Sequence, residues 1–187
     1  MKAILLIIIL AAGASCAMPT AVGTDFAEGQ YHIGGRAAAV SSSGSDATGS
    51  GGEVFGDSYT VEFGTFFTDQ LEIGVTTEHW ELVDEDVDED FTANYFTGFA
   101  RYYTESEGNV RPFVLIGAGS GRLSFLDSGG ASGNIYRVGA GITQFISDTA
   151  SIEISVEQQF ASFLVDEVFE KIEVDTVNVY AGLNFFF

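Results

Sequence analysis

Along most of the chain apolar and polar residues alternate with a period of two, in runs rich in β-branched and aromatic side chains separated by turn residues, and no helical periodicity interrupts them. The pattern predicts strands over Gln30 to Val40, Ser58 to Phe67, Leu71 to Trp80, Phe91 to Tyr103, Val110 to Gly121, Asn134 to Ile146, Ser151 to Phe163 and Ile172 to Phe187. The connections alternate in length. Ser41 to Asp57, Glu81 to Asp90, Leu123 to Gly133 and Leu164 to Lys171 are long and Gly/Ser-rich or acidic, whereas Thr68 to Gln70, Thr104 to Asn109 and Ser147 to Ala150 are short. Long loops on one rim and tight turns on the other point to an all-β, antiparallel, up-and-down transmembrane barrel with extracellular loops and periplasmic turns. Eight strands place both ends of that barrel on the periplasmic side.

The last strand carries the clearest pattern. Phe187, Phe185, Leu183, Ala181, Val179 and Val177 share one face, and Phe186, Asn184, Gly182, Tyr180, Asn178 and Thr176 the other. Such a segment matches the ~9 to 11 residues that a tilted strand needs to cross the hydrocarbon layer. Asp175 and Glu173 continue the apolar face, so the membrane ends near Val177. A soluble barrel would place its apolar residues inside. Here the single charges flanked by apolar neighbours argue the reverse: Glu62 between Val61 and Phe63, Glu72 between Leu71 and Ile73, Arg137 between Tyr136 and Val138, Glu153 between Ile152 and Ile154. A charge on the lipid face near the midplane costs ~2 to 4 kcal/mol, so these residues and Glu157 are expected to line the lumen. Gly64, Gly74, Gly139 and Gly141 share that parity. For Phe91 to Tyr103 the pattern leaves both faces open, because placing Arg101 inside also places Phe99 and Tyr95 there.

Composition narrows the reading. At 187 residues the chain suits a single domain at about 150 residues per domain. Seven Lys and Arg against 27 Asp and Glu give a formal charge of −20, which excludes nucleic acid as a partner. A single cysteine excludes a disulfide scaffold and a multi-cysteine zinc site. Lys2, the apolar run Ala3 to Ala12 and the small residues Gly13, Ala14 and Ser15 read as an export signal over residues 1–17, too short for a spanning helix. Cys16 then stands either at a signal-peptidase site, Ser15-Cys16-Ala17, or as the lipidated residue ending a relaxed lipobox, Gly13-Ala14-Ser15-Cys16. Residues 18–29 form a short periplasmic lead, and residues 30–187 the barrel.

With the turn approaches Phe67-Thr68-Asp69-Gln70-Leu71-Glu72-Ile73-Gly74 and Phe145-Ile146-Ser147-Asp148-Thr149-Ala150, the stretch Arg111-Pro112-Phe113-Val114 leading to Gly117-Ala118-Gly119, and the terminal Phe187, the chain resembles the small outer-membrane β-barrel family of the OmpA/OmpX eight-stranded type. The resemblance implies the outer membrane of a Gram-negative-type bacterium, with membrane lipid, periplasmic chaperones and the barrel-assembly machinery as partners. It also implies that Phe187, Phe185 and Leu183 form an assembly signal. Family membership leaves activity open, since the family holds structural proteins, adhesion and resistance factors and lipid-modifying enzymes.

Candidate chemistry is sparse. His32 and His79 are the only histidines, and Glu78, His79 and Trp80 alternate in direction along a strand, so no dyad follows from their spacing. Both histidines are read as interface residues, and no enzyme, cofactor or metal centre is expected. Glu78 to Asp90 holds the densest charge: Glu78, Glu81, Asp84, Glu85, Asp86, Asp88, Glu89 and Asp90. The carboxylates from Asp84 to Asp90 are read as a cation-attracting, solvated loop without EF-hand order. Inward glutamates facing Arg137, and Arg101 or Arg111, imply ion pairs in an interior that eight strands make just wide enough for side chains, which excludes a general diffusion porin. The expected role is that of a non-enzymatic, monomeric structural or surface-interaction barrel. The alternatives are a narrow channel or small-molecule conduit, and a lipid-modifying enzyme.

Overall fold

A computed structural model describes residues 26–43, 53–84, 89–105, 108–125, 130–165 and 171–187; the export signal, Cys16 and the acidic residues Glu85, Asp86 and Asp88 lie outside the described residues. The chain forms strands β1 (Tyr31–Ser43), β2 (Glu53–Phe66), β3 (Leu71–Asp84), β4 (Glu89–Tyr103), β5 (Val110–Phe125), β6 (Gly130–Ser147), β7 (Ala150–Val165) and β8 (Lys171–Phe186). Each pairs antiparallel with its sequence neighbours, and β8 closes onto β1 from His32 opposite Phe186 to Ser42 opposite Thr176. Closure leaves no strand edge, which a membrane requires because lipid offers no partner to a free N–H or C=O.

The periplasmic ends of the strands fall within about a residue of the alternating pattern. The outer ends of β1, β2, β3, β5 and β6 do not. β1 continues to Ser43, β3 to Asp84 and β5 to Phe125, while β2 starts at Glu53 and β6 at Gly130. These extensions replace much of what the Gly/Ser-rich and acidic stretches predict as loop. Only wall in contact with hydrocarbon must alternate apolar and polar; above it the hydrogen-bonded ladder suffices, and Asp57, Glu81 and Asn94 stand outward on it.

The two faces of the wall are as the parity argument requires. Val61, Phe63, Ile73, Val75, Val114, Ile116, Val138, Ile154 and Val156 face outward and exposed. Tyr59, Phe96, Tyr136 and Phe160 ring them on the outer side, and Tyr31, Phe67, Tyr102 and Phe187 on the periplasmic side, the two aromatic girdles of a bilayer-spanning barrel. For β4 the structure settles the direction: Tyr95, Thr97, Phe99, Arg101 and Tyr103 all point inward and are buried.

Inside, the lumen is layered. At the periplasmic end Phe66, Phe99, Tyr103, Phe113, Leu115, Phe145 and Phe186 pack around Phe26. Phe26 belongs to the lead before β1, whose residues 26–29 fold under the barrel end. Gly29, at φ 81°, allows the turn. Its N–H donates to the Phe66 carbonyl, and the Phe66 N–H donates to the Gln30 carbonyl, so the turn prolongs the ladder. The Phe26 ring stacks on Phe66 at 4.0 Å and meets Tyr103 at 4.5 Å. At the outer end a second cluster holds Val40, Trp80, Leu82, Tyr95, Leu123, Ile135 and Phe163. The charges lie between these two apolar layers.

The last strand offers a test of both faces. Phe187 is 67% exposed toward lipid, while Phe186 is 2% exposed and packs against Phe26, Phe145 and His32. Phe186→Ala empties part of the periplasmic cluster and should lower stability by ~3 to 5 kcal/mol while the protein still inserts. Phe187→Asp removes the terminal lipid-facing aromatic and should reduce the inserted fraction. Membrane fractionation with urea unfolding of the inserted protein separates the two effects. Equal insertion defects would mean that the two residues are not divided between lumen and lipid.

Candidate functional site

Strand parity gathers side chains from β1, β2, β3, β4, β6 and β7 into one charged layer. Glu62, Glu72, Arg137, Glu153 and Glu157, the lumen charges expected from sequence, are all buried there. Arg101 is the hub. Its Nη2 donates to Glu62 Oε1 at 3.0 Å and to Oε2 at 3.2 Å, and its Nη1 donates to Glu72 Oε2 at 3.3 Å and lies 3.2 Å from Glu153 Oε2. The guanidinium sits over the rings of Phe113 and Phe99, at 4.7 and 5.2 Å from their centroids. An arginine suits this position because its planar fork can engage several carboxylates while its face rests on aromatic rings.

Arg36 is a second hub that the sequence pattern does not reveal. Its Nε lies 3.3 Å from Glu62 Oε2, and its Nη1 reaches Glu153 at 3.4 Å and Glu157. The neighbours Gly35 and Ala37 are small rather than strongly apolar, so the alternation that exposes Glu62 or Arg137 is faint around it. Arg137, expected from sequence as an inward cation, lies at 3.5 Å from Glu157 Oε2, its one ion pair among the described residues. Of the two further arginines considered from sequence, Arg101 is central, whereas Arg111 is half-buried at the periplasmic mouth beside Asp69 and Glu105.

Two sequence readings need correction. His32 is not at a membrane interface. It is fully buried, with Nδ1 2.5 Å from Glu72 Oε1 and Nε2 3.0 Å from Asn184 Oδ1. Glu78, grouped with the acidic stretch, points into the lumen instead. Its Oε1 accepts hydrogen bonds from Ser58 Oγ at 2.8 Å, Trp80 Nε1 at 2.6 Å and Tyr180 Oη at 2.5 Å. Glu78 stands between Thr77 and His79, so period two gives no sign of its side, whereas Tyr31 and Ile33 flank His32 and their outward faces already turn it inward.

The remaining candidates stay apart from this layer. Asp84, Glu89 and Asp90 are strand residues at the tip of the β3–β4 hairpin, with Asp84 opposite Glu89 and Asp90 opposite Val83. Phe187, Phe185 and Leu183 face lipid on β8. His79 is outward, with Nδ1 2.9 Å from Asn94 Oδ1 and Nε2 3.7 Å from Glu81. The two histidines thus lie on opposite sides of the wall. Among the described residues, no group of three or more His, Cys, Asp or Glu side chains is arranged to hold a metal ion.

The connectivity of the charged layer ranks its arginines. Arg101→Leu strips a cation from Glu62, Glu72 and Glu153 together and should destabilise the barrel by ~3 to 5 kcal/mol, the cost of breaking a buried pair. Arg137→Leu should cost less, on the order of 1 to 3 kcal/mol, because Glu157 keeps Arg36. Val138→Leu, facing lipid, should stay within about 0.5 kcal/mol. Urea titration followed by emission from the lumen residue Trp80 compares the three variants in vesicles. A larger cost at Arg137 than at Arg101 would overturn this ranking.

No family model matches the chain, and none of the curated proteins searched matches it. Solved structures do. The crystal structure of Neisserial surface protein A shares 15% identity at a TM-score of 0.67, covering 84% of this chain and 99% of that one. The solid-state NMR structure of the outer membrane protein AlkL in lipid bilayers shares 16% identity at a TM-score of 0.52, covering 91% and 96%. Ail, the attachment invasion locus protein of Yersinia pestis, solved in complex with the heparin analogue sucrose octasulfate, shares 19% identity at a TM-score of 0.50, covering 86% and 99%. With eight closed antiparallel strands, a charged interior and an apolar, girdled exterior, the chain has the fold of the small eight-stranded outer-membrane barrels.

Proposed function

We propose that the protein is a non-enzymatic barrel of the bacterial outer membrane that acts at its outer face, through an acidic rim that attracts cationic partners. The observation that carries this reading is the filled lumen. Two aromatic and aliphatic layers close the interior at either end, and arginine–glutamate pairs occupy the space between. Chemistry or transport through such an interior requires rearranging both layers, which leaves the outer surface as the working part.

That surface is acidic. Asp57 on β2, Glu81 on β3, and Glu173 and Asp175 on β8 are exposed near the outer ends of their strands, with Asp84, Glu89 and Asp90 at the hairpin tip above them. Seven basic residues serve the whole chain, and Arg36, Arg101 and Arg137 are used inside. The outer field is therefore negative. It favours cations and repels anionic polymers, so the partner differs in sign from the sulfated ligand held by Ail. Outer-membrane lipid around the girdles, and periplasmic chaperones and the assembly machinery acting on the β8 strand, are the partners this role needs during biogenesis.

Vesicles carrying the refolded protein should adsorb polylysine in a salt-sensitive manner and leave sucrose octasulfate in solution. Changing Asp84, Glu85, Asp86, Asp88, Glu89 and Asp90 to amides should weaken the polylysine adsorption several-fold. Planar bilayers containing the protein should show no steady conductance. A sustained ion current would favour the narrow-channel reading, and polylysine adsorption unchanged by the amide substitutions would remove the acidic hairpin from the mechanism.

A further inference from the structure

We infer that His32 is a permanent imidazolium, the fourth cation of the charged lumen, and that its positive charge latches β1 to β3 and β8 just inside the periplasmic seal. The argument rests on hydrogen-bond geometry. His32 Nδ1 lies 2.5 Å from Glu72 Oε1, and a carboxylate oxygen in that position accepts, so Nδ1 carries a hydrogen. His32 Nε2 lies 3.0 Å from Asn184 Oδ1. The orientation of that amide is fixed by its other end, where Asn184 Nδ2 donates to Glu153 Oε2 at 3.1 Å. Turning the amide over would bring its oxygen against the Glu153 carboxylate, so Oδ1 is the atom facing His32, and Nε2 must donate as well. A neutral imidazole has one donor and one acceptor nitrogen; only the imidazolium has two donors.

The surroundings agree. Glu62 Oε1 on β2 also lies 3.5 Å from Nε2. Against the ring stand Glu72 on β3, Glu62 on β2, and Asn184 and Phe186 on β8; through Glu72 it is linked to Arg101 and Tyr103 on β4, through Glu62 to Arg36 on β1, and through Asn184 to Glu153 on β7. At the level of Arg101, His32 with Arg36, Arg101 and Arg137 gives four cations against the four carboxylates of Glu62, Glu72, Glu153 and Glu157, while the fifth lumen glutamate, Glu78, lies toward the outer cluster and is held by the neutral donors Ser58, Trp80 and Tyr180. Without His32 the layer would hold a carboxylate in excess, at a depth where an uncompensated charge is costly. The backbone makes room for this arrangement. A Cβ at position 34 would collide with Asn184 Oδ1 and with His32 Nε2, so Gly34 permits the histidine–amide contact. The Phe186 ring stacks against the imidazole, centroids 5.4 Å apart, and separates it from the periplasmic mouth.

The chain has only two histidines, and they face opposite ways, which makes the test direct. Long-range proton–nitrogen NMR spectra of the full barrel with labelled imidazole rings, refolded in micelles, report the hydrogen on each ring nitrogen. His79, with 43% of its side chain exposed, serves as the internal reference, and a His79→Asn variant assigns the signals. At a pH well above the ordinary histidine value of ~6.5, His32 should still show two N–H nitrogens. A single protonated nitrogen on His32 at that pH overturns the proposal. A second measurement addresses the latch. Glu72→Gln and His32→Gln should each lower the urea midpoint, since each leaves one charge of the pair without the other. The double variant, with the count again balanced, should unfold at a higher urea concentration than the sum of the two losses predicts. Strict additivity of the two losses would overturn the latch, and the ring spectra remain decisive if either single variant fails to refold.

Discussion

A carboxylate cannot face hydrocarbon cheaply, and that constraint organises this barrel from the inside out. Glutamates at alternate positions on β2, β3 and β7 must turn inward once their apolar neighbours turn to lipid. An interior enclosed by eight strands has no room for them to remain hydrated. Each must meet a donor, and the chain supplies Arg36, Arg101 and Arg137, with Arg101 reaching Glu62, Glu72 and Glu153. Buried ion pairs then need shelter from water at both mouths. Phe26 and the aromatic cluster around it provide this on one side, and Trp80, Tyr95 and Phe163 on the other. The glycines belong to the same solution: a Cβ on Gly117 would strike Arg137, and one on Gly139 would strike the Glu157 side chain.

How much of this was legible in the sequence depended on the contrast between neighbours. Glu62, Glu72, Arg137 and Glu153 are flanked by strongly apolar residues, so their direction could be read. Arg36 and Glu78 have small or polar neighbours, so the same reasoning was blind to them; His32, between Tyr31 and Ile33, carried the inward signal, but its position near the strand end read as a membrane interface. Arg101 fell between, because Phe99 and Tyr95 share its face and an aromatic residue inside a polar lumen looked inconsistent. The structure removes the inconsistency: Phe99 underlies the guanidinium, and Tyr95 belongs to the outer apolar layer. A lumen treated as uniformly polar is in fact apolar at both ends. Alternation cannot report this, since it distinguishes the two sides of the wall but not the depth along it.

The outer strand extensions were missed for a related reason. Hydrophobic alternation records contact with lipid, and it fades where the wall rises above the membrane. Asp84 opposite Glu89 shows what replaces it. Two like charges directly across a strand pair disfavour pairing, yet the hairpin persists there because the ladder below it is already in register from Leu71 opposite Tyr102 onward. The register set within the membrane carries the pairing up to Asp84 and Glu89, where composition alone predicts a loop.

The division of labour within the chain follows from the same physics. Cations are scarce in a sequence of charge −20, and three of its seven Lys and Arg residues are committed to the lumen. Each arginine kept inside leaves the exterior more negative, so the acidity of the outer rim and the ion pairing of the interior are two sides of one allocation. Moving a cation from lumen to rim would weaken the fold and the surface field together. The two histidines lie apart, one behind the Phe186 ring and the other on the outward face beside Asn94. A rim supported by a rigid, sealed cylinder can change its charge without unfolding what holds it.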